Sequence, residues 1–543
     1  TNPKGGKIWY LATDHRNPSV PAIAEEFSDL FPRNQYGFYR SAEGKLRPAK
    51  ADTPKEHIVE TRGKCIKAPL FTQLSDLGYD PNQGGSQNPI CQSCPMKQVC
   101  QFAEGWFLHD RRETMEHDHI RAHVESLPRD YDPSNDLVII EEPGQSLKTT
   151  KTIESNWEKL LVQLDAVRNQ LSKDDHAILD AVMQTLKPLF TDRSKYGLEH
   201  QDILQAIGTV TLPDSILQAI AATVPNLADI FTVEEADSRL TRSQINFAQS
   251  IISSQALANV PPNALIYVVK ALTGTPGIIL RIVKGQLIIT LDRRSDYSPF
   301  FEKAGSVVGL DATLTGEEFQ SLLGVNRPIE VVTAASPKVT EHDNLEVLVI
   351  KTKGLGSRDV SDKALGRVYK LLQTLGQQYN DFPVIAPKHL RERLDLDGHW
   401  FVHNRGVNDF EGTPTMAYIG LPRPNVGMVQ DEYLALHGTL NGFKAYYQTL
   451  INKEIVQSAG RPRANRRPHQ QFVIIYIVPE EEDLSWLSDY GVKVTTKTAF
   501  EVNPEAGSET QCTRHHILEA IQFLLSQGAN VTQAAIAQLV GKT

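Results

Sequence analysis

Residues 136–144 read DLVIIEEPG, a stretch that joins an apolar run to two consecutive acids. The run from Leu137 to Ile140 has the length and composition of a strand buried in a parallel sheet. Glu141 and Glu142 follow it directly. Two acids there can hold the Mg2+ of a nucleotide through water and orient a hydrolytic water. The alternative is a solvated strand end, because acids often follow strands.

Further apolar runs extend this pattern in both directions. Ile8 to Ala12 is typical of a second buried strand, which enters a polar loop at Thr13. From Leu345 onward, short runs alternate with helical patterns, and this predicts a second α/β domain with a largely parallel sheet. Those runs are Leu345 to Ile350, Pro383 to Pro387, Trp400 to Asn404, Met416 to Gly420 and Phe472 to Val478.

Helical and antiparallel patterns fill the remaining chain. We expect helices over Val20 to Leu30 and over Phe102 to Val124, and mainly helices from Trp157 to about Ser254. Glycine-containing turns between 265 and 292 predict a small antiparallel meander. The end of the chain, 510–543, is typical of the start of a helix-turn-helix.

Composition narrows the class of protein. The 543 residues are 40% hydrophobic and 22% charged, which suits about three or four globular domains. No apolar run reaches the roughly 18 to 20 residues that span a bilayer. With no recognisable leader pattern, we expect a cytoplasmic protein without membrane contact. The net charge of −9 restricts any nucleic-acid contact to local patches.

Four of the five cysteines lie between positions 65 and 100. They are Cys65, Cys91, Cys94 and Cys100. Clustered thiols in a cytosolic chain indicate a metal site rather than a disulfide framework. The spacing C-x25-C-x2-C-x5-C suits zinc and an iron-sulfur cluster about equally. Four reduced cysteines packed in a core are the weaker alternative, because the surrounding sequence is polar and rich in glycine.

Three further motifs follow along the chain. VGLDATL, from Val308 to Leu314, is a strand that ends in small and hydroxyl residues. NRGVN, from Asn404 to Asn408, is a turn containing glycine. In QSAGRPRANRRP, from Gln457 to Pro468, Arg461 could reach a γ-phosphate as an arginine finger. Each is nonspecific alone, and a loop without a role or a solvated charged loop is the alternative.

The order of these features along the chain resembles that of the XPD/DinG family of iron-sulfur superfamily 2 DNA helicases. The order is the Thr13 loop, the cysteines, the double acid, a helical insertion, DATL, NRGVN and QSAGR. IGLPRPN from Ile419, followed by EYLALHG from Glu432, is similar to the family's segment after motif V. The resemblance spans about Ile8 to Val478. It implies two RecA-like P-loop NTPase domains in an α/β fold, with a cysteine-ligated insert and a helical Arch insert.

The resemblance divides the chain into domains. Residues 1–64 and 101–150 would belong to the first RecA-like domain, to which 301–340 would return. Residues 65–100 would form the iron-sulfur insert, and 151–300 the mainly helical Arch. Residues 341–500 would form the second RecA-like domain, and 510–543 a truncated helix-turn-helix.

The resemblance also assigns roles to residues. Glu141 and Glu142 match the Asp-Glu of the family's DEAH box, DATL matches its SAT-L motif, and QSAGR matches motif VI. The implied catalytic residues are Glu141, Glu142, Gln457 and Arg461, and the implied nucleotide contacts are Gly460, Asp311 and Thr313. The implied DNA contacts are Thr13, His15, Arg16 and Arg405.

The resemblance implies ATP, Mg2+ and a 4Fe-4S cluster as cofactors, with zinc as the alternative metal. Single-stranded and forked DNA, and replication or repair proteins, would be the partners. The expected activity is ATP-dependent unwinding of duplex DNA, with 5′ to 3′ polarity.

Two departures from the family stand out. The family's second motif VI arginine would fall on Ala464, with Arg463 one place early. No G-x-x-x-x-G-K-[ST] phosphate loop occurs in the sequence. We expect that loop upstream of Thr1. The competing hypothesis is a DNA-binding accessory or regulatory protein that does not hydrolyse ATP.

Overall fold

The computed structural model describes residues 5–541, apart from 19, 42–43, 51, 61–62, 83–87, 93, 95, 195–196, 209–210, 223–259, 312, 333–343, 356–359, 397 and 402–409. The chain divides into two compact units. Unit 1 comprises Thr1–Val331 and Gly427–Asn441, and unit 2 comprises Val332–Val426 and Gly442–Thr543. Each unit contains its own parallel sheet.

The sheet of unit 1 has the strand order β11-β7-β1-β6-β2, and all its pairings are parallel. Its strands are β1 (Ile8–Leu11), β2 (Ser28–Asp29), β6 (His119–Ala122), β7 (Leu137–Glu141) and β11 (Ser306–Leu310). The predicted strands at Ile8 and Leu137 are therefore confirmed. They are neighbours, with Leu11 opposite Ile140. Both pack against Phe301 in one buried core.

Two small antiparallel sheets also belong to unit 1. One has the order β4-β3-β5 and the other the order β8-β10-β9. Their strands are β3 (Phe38–Arg40), β4 (Leu46–Pro48), β5 (Ile58–Glu60), β8 (Thr150–Asn156), β9 (Ile278–Val283) and β10 (Gln286–Asp292). The second sheet packs with the surrounding helices around a separate apolar core.

The sheet of unit 2 is entirely parallel in the part of the chain that the structure describes, with the order β14-β13-β15-β16-β12-β17. Its strands are β12 (Leu345–Thr352), β13 (Val384–Ala386), β14 (Gly398–His399), β15 (Thr415–Ile419), β16 (Phe472–Pro479) and β17 (Lys493–Thr498). The central strand β16 is almost wholly buried, as its continuous apolar run predicts. The predicted α/β class is confirmed.

Helices connect these strands, and no described helix is long and apolar enough to cross a membrane. Those of the first 331 residues are α1 (Pro21–Glu26), α2 (Ala68–Asp76), α3 (Pro89–Gln92), α4 (Lys97–Phe102), α5 (Phe107–Thr114), α6 (Pro143–Ser146), α7 (Trp157–Arg168), α8 (Lys173–Leu186), α9 (His200–Ile207), α10 (Asp214–Ala222), α11 (Leu265–Leu272), α12 (Ser298–Lys303) and α13 (Gly316–Leu323). The later ones are α14 (Asp362–Tyr379), α15 (Lys388–Leu394), α16 (Val426–His437), α17 (Phe443–Ala459), α18 (Ala499–Val502), α19 (Glu509–Ser526) and α20 (Gln533–Val540).

Two predicted helices contain strands instead. The helix expected over Val20 to Leu30 ends at Glu26, and Ser28 and Asp29 then pair with β6. The helix expected over Phe102 to Val124 ends at Thr114, and β6 follows it. These strands have two and four residues, too few to impose a visible alternation on polar sequence. Sheet pairing, which is a long-range contact, decides them.

Two predicted strand regions also differ. Leu265–Leu272 is a helix rather than the first strand of a meander, and the third strand of that sheet is β8. A short, wholly apolar segment fits a buried helix and a buried strand equally well. The strand expected from Trp400 is the two-residue β14 instead, after which Trp400 packs in the core. Residues 402–409 lie outside the described residues.

Candidate functional site

Three predicted site segments meet at the carboxyl edge of the unit 1 sheet. β1, β7 and β11 are adjacent and parallel, so the residues that follow them emerge on one side. Thr13 Oγ1 lies 3.5 Å from Ser146 Oγ, in the helix after β7. The Glu142 backbone N–H donates to Leu310 O at 2.9 Å, next to Asp311. The topology thus brings together residues separated by about three hundred positions in the sequence.

The two acids occupy a tight strand-to-helix corner. Glu141 is the last residue of β7, and its carboxylate accepts a hydrogen bond from the Tyr10 hydroxyl. Burial and then this carboxylate raise the pKa of Tyr10 well above its ordinary value, so the phenol remains a donor. Glu142 has φ 44° and ψ 66°. A non-glycine residue in this left-handed region is strained, and such strain concentrates at functional sites.

Asp311 organises the loop after β11. Its Oδ1 accepts the backbone N–H groups of Thr313 at 2.7 Å and of Leu314 at 3.0 Å. The Thr313 hydroxyl lies 3.1 Å from the same oxygen. The carboxylate therefore fixes the loop at the site edge, and a nucleotide contact of Asp311 or Thr313 stays a prediction. Ala312 lies outside the described residues.

The predicted motif VI begins at the end of α17 in unit 2. Ser458 in its last turn is completely buried and accepts, through its carbonyl, the Tyr418 hydroxyl at 3.0 Å. The ring of Tyr418 stacks on that of Tyr476, with centroids 5.2 Å apart. The half-buried Arg461 lies just after the helix, and its backbone N–H donates to Ser458 O at 3.2 Å. Two stacked tyrosines on neighbouring strands thus fix the helix end that carries Arg461.

Two other motif VI positions have distinct environments. Gln457 Oε1 is buried and accepts no hydrogen bond from the residues described here. Gly460 is exposed at the helix end, with φ −80°. A buried acceptor without a donor is uncommon, because its desolvation is not repaid. Gln457 is therefore the motif VI side chain with an unmet bonding need.

Ala464 and Arg463 have different environments at the place where the resemblance implies a second arginine. Ala464 is 5% exposed and belongs to the core of unit 2. An arginine there would place a charge among apolar side chains. Arg463 is exposed and has φ 55°. The chain presents its second arginine one position earlier, on a left-handed residue.

The predicted DNA contacts divide by exposure. Thr13 is exposed and Arg16 is half-buried, with its guanidinium carbon 5.2 Å from the Phe38 ring centre. His15 is only 1% exposed, and its Nε2 lies 3.1 Å from Asp29 Oδ1. A direct DNA contact does not suit this buried ring, which instead ties the loop to β2. Arg405 lies outside the described residues.

The four clustered cysteines are gathered in unit 1. Cys65 and Cys100 are buried and pack in one apolar cluster, against which Cys94 also packs. Cys91 lies in α3 and is half-buried. Burial raises the pKa of Cys94 to about 11 and that of Cys100 to about 12. A metal would have to displace these protons to bind the thiolates.

The surroundings of the sulfurs suit metal-bound thiolates. Leu108 N–H donates to Cys100 Sγ at 3.4 Å, and Arg33 Nη1 lies 3.8 Å from Cys65 Sγ. Lys67 is 2% exposed and lies close enough to Cys94 for the two to interact electrostatically. N–H donors and cations stabilise negatively charged sulfur. The donor set therefore fits the expected metal centre.

The sulfur spacing bears on the choice of metal. Within the described residues, no three cysteine sulfurs lie within 4.8 Å of one another. A tetrahedral zinc site with Zn–S bonds of about 2.3 Å needs sulfurs roughly 3.8 Å apart. The one group that meets the 4.8 Å spacing among these residues is His109, Asp110 and Glu113. The cysteines are thus more widely spaced than a preformed zinc site requires.

Sequence reasoning missed Tyr10, Arg33, Lys67 and Asp29. Strand pairing brings Tyr10 to Glu141, and tertiary packing brings Arg33 to cysteines that follow more than thirty residues later. Neither contact has a spacing signal. The only hint was Lys67, a charged residue two positions after Cys65 at the start of an apolar helix.

Fold and site together define an α/β protein with two parallel sheets and acids at a sheet edge. No protein-family model and no curated protein matches the sequence. Solved structures of XPD helicases are similar to it. An XPD helicase is 10% identical with a TM-score of 0.47, and the match covers 91% of both chains. S. tokodaii Xpd4 is 16% identical with a TM-score of 0.40, covering 70% of this chain and 83% of the other.

Proposed function

We propose that this chain is the motor of an ATP-dependent DNA helicase, for which the resemblance implies 5′ to 3′ polarity. The observation that carries the proposal is the strained acidic corner at Glu141 and Glu142, with Thr13 and Asp311 following the neighbouring strands. Open parallel sheets bind ligands beyond the carboxyl ends of their strands. Because loops from three adjacent strands lie at this one edge, hydrolysis of a nucleotide bound at one loop would shift the position of the neighbouring loop that contacts DNA.

The proposed chemistry is hydrolysis of the ATP γ-phosphate. Glu141, steadied by Tyr10, would hold Mg2+ through water, and Glu142 would orient the attacking water. Arg461 would stabilise negative charge on the γ-phosphate. The unmet acceptor of Gln457 supports a ligand contact nearby, because buried acceptors normally receive a donor. Gly460, Asp311 and Thr313 are the further proposed nucleotide contacts.

Cys65, Cys91, Cys94 and Cys100 would hold the metal centre, for which an iron-sulfur cluster is proposed. The four cysteines can supply the thiolates of such a cluster, and the N–H donor and cations beside them would stabilise its negative charge. Such a group, when bound, cross-links distant chain segments and can accept an electron. Anaerobically purified protein should contain iron and sulfide and show visible absorption that reductant bleaches. A colourless protein containing only zinc would contradict the assignment.

DNA would contact Arg405, the exposed Thr13 and the half-buried Arg16, while His15 would hold the Thr13 loop in place. Single-stranded and forked DNA are the proposed partners. These contacts are local, as the acidic net charge requires.

The test is ATP hydrolysis by the full-length protein with and without single-stranded DNA. Turnover should rise with DNA, and Glu142→Gln should reduce it by about 100-fold or more while leaving DNA binding intact, because only water activation is lost. A matched control is Glu125→Gln, an acid on another loop of unit 1. Turnover that ignores DNA, or that survives Glu142→Gln, would refute the proposal.

One observation favours a second candidate. The sequence contains no G-x-x-x-x-G-K-[ST] phosphate loop, and such a loop supplies the main grip on ATP phosphates. A DNA-binding accessory protein that does not hydrolyse ATP would fit this. It would bind single-stranded DNA in the assay above with no turnover in any variant.

A further inference from the structure

The side chain of Arg33 is clamped beside the cysteine cluster. Its guanidinium carbon lies 3.9 Å from the ring centre of Phe71 and 4.2 Å from that of Phe107. A planar cation held between two aromatic faces has one favourable orientation, and its N–H edge then points along the plane between the rings. In this structure Nη1 lies 3.8 Å from Cys65 Sγ.

Arg33 faces sulfur rather than carboxylate. Besides lying next to Cys65, Arg33 is close enough to Cys91 for its positive charge to lower the pKa of that thiol, against the larger, opposite effect of burial. Across the described residues, no Asp or Glu forms an ion pair with Arg33. Arginine is always charged in proteins, so a half-buried guanidinium needs negative charge nearby. Here the available partners are the sulfurs.

Neutral thiols would not supply that charge, whereas metal-bound thiolates would. Four thiolates leave either a zinc ion or an iron-sulfur core with net negative charge. The charge is partly buried, because Cys65 and Cys100 are less than a tenth exposed. A fixed cation close by would therefore stabilise the loaded site more than the empty one.

We propose that Arg33 is the charge partner of the metal–thiolate group, and that it controls both the retention of the metal and the ease of its reduction. The proposal rests on the proposed metal centre but not on helicase activity. Reduction adds one electron, and so one negative charge, to the group. Arg33 favours that more negative form, and Phe71 and Phe107 act by holding Arg33 in place.

The experiment uses anaerobically purified full chain, without ATP or DNA. Iron and zinc are quantified, and the rate of metal loss to a chelator is measured. The midpoint reduction potential of the metal group (the midpoint) is determined by titration with dithionite as electron donor. Arg33→Gln should lose metal about 10-fold faster, the usual scale for a group supporting a metal ligand. Its midpoint should fall, because the added electron is no longer compensated.

Two further variants separate charge from packing. Arg33→Lys keeps the charge and should stay close to the parent in metal loss and midpoint. Arg40→Gln removes an exposed arginine on β3, away from the cysteines in the sequence, and should change neither value. Circular dichroism checks the folding of each protein.

A folded Arg33→Gln protein with parental metal loss and midpoint overturns the proposal. A folded Arg33→Lys protein whose metal loss and midpoint change as much as those of Arg33→Gln also overturns it. If Arg33→Gln does not fold, faster metal loss from a folded Arg33→Lys protein overturns the proposal instead. A site that takes only zinc leaves the metal-loss comparison as the deciding result. The two proposals fail separately. If the parent protein shows no ATP turnover but the variants change metal loss and midpoint as expected, the helicase proposal fails and the Arg33 proposal stands.

Discussion

Two tyrosines donate to carboxylates at opposite ends of β7. Tyr10 donates to Glu141 at the carboxyl end, and Tyr131 donates to Asp136 at 2.7 Å at the other end. Asp136 also accepts the Trp9 indole N–H at 2.8 Å. The same chemical pair therefore occurs once at the candidate site and once away from it.

Tyr10→Phe removes the hydroxyl that holds the Glu141 carboxylate. We expect the free energy of unfolding to fall by about 1.5–3 kcal/mol, the scale of a hydrogen bond to a charged group. We also expect half-maximal ATP turnover to require more Mg2+, because the carboxylate is less ordered. Denaturant unfolding and a Mg2+ titration of turnover measure the two effects.

Tyr131→Phe is the matched control. It should destabilise the sheet by a similar amount and leave the Mg2+ dependence unchanged, because Asp136 is remote from the acidic corner. Equal Mg2+ shifts in both variants would mean that Tyr10 acts only through stability.

A half-buried histidine gives a pH prediction at the same edge of the sheet. His123 follows β6, and its Nδ1 accepts the Glu125 backbone N–H at 3.2 Å. Burial lowers the pKa of His123 to about 4, despite the nearby Glu125 carboxylate. The unfolded chain therefore takes up this proton first as the pH falls. The contribution of neutral His123 to the free energy of unfolding is therefore fully present above its unfolded pKa of about 6.5, and it is lost as the pH falls towards 4.

His123→Asn keeps an acceptor suited to a helix N-cap but does not titrate. Urea unfolding of both proteins between roughly pH 7.5 and 4.5 should show the parent losing more stability than the variant. Parallel curves over that range would rule out His123 as the cause.

At the level of single residues, candidate residues could be selected from the sequence by their chemistry, whereas their contacts could not. The four cysteines and the two acids could be selected because their chemistry is explicit in the sequence. The burial of His15 could not, because it depends on Asp29 across a strand pairing. The exposure of Arg463 and the burial of the adjacent Ala464 could not be predicted either, because they depend on the left-handed backbone of Arg463, with φ 55°.

Among the secondary-structure elements, the segment Gly427–Asn441 has an unusual place. It belongs to unit 1, although the chain on both sides of it belongs to unit 2. Its Asp431 receives two hydrogen bonds from Arg281 on β9, at 2.6 and 2.7 Å. Both side chains are less than a tenth exposed. A bidentate buried pair thus holds the segment to the β8-β10-β9 sheet.

Asp431→Asn should lower the free energy of unfolding by about 3 kcal/mol, the lower end of the range for breaking a buried pair, because Arg281 would keep only the more distant Glu199 carboxylate at 3.7 Å. The apolar double variant Arg281→Met with Asp431→Leu should recover most of that loss. Chemical unfolding of the full chain measures both. The control is Asp180→Asn, which breaks a partly exposed pair with Arg168 and should cost about 0–1 kcal/mol. Equal losses at Asp431 and Asp180 would contradict this account.

Long apolar elements were predictable and short ones were not. β7, β12 and β16 have continuous apolar runs, which report burial in a parallel sheet. β2 and β14 have two residues each, and only their partners make them strands. α11 is apolar at nearly every position, Lys270 being the exception, so periodicity could not distinguish it from a strand.

For the whole molecule, the alternation of apolar runs with helical patterns and the order of the motifs predicted the α/β class and its parallel sheets. The proposed domain boundaries and roles rest on that order and on local chemistry. What order could not predict is the set of groups around each site, since Tyr10 and Arg33 reach their partners through tertiary packing.

The central claim is that this protein separates DNA strands by using ATP. The most direct measurement is unwinding of a forked duplex with a 5′ single-stranded tail by the full chain with Mg2+ and ATP. We predict strand separation that requires ATP and is abolished by Arg461→Ala, while Arg466→Ala at an exposed position leaves it intact. A fork that is bound but stays double-stranded with ATP present would contradict the claim.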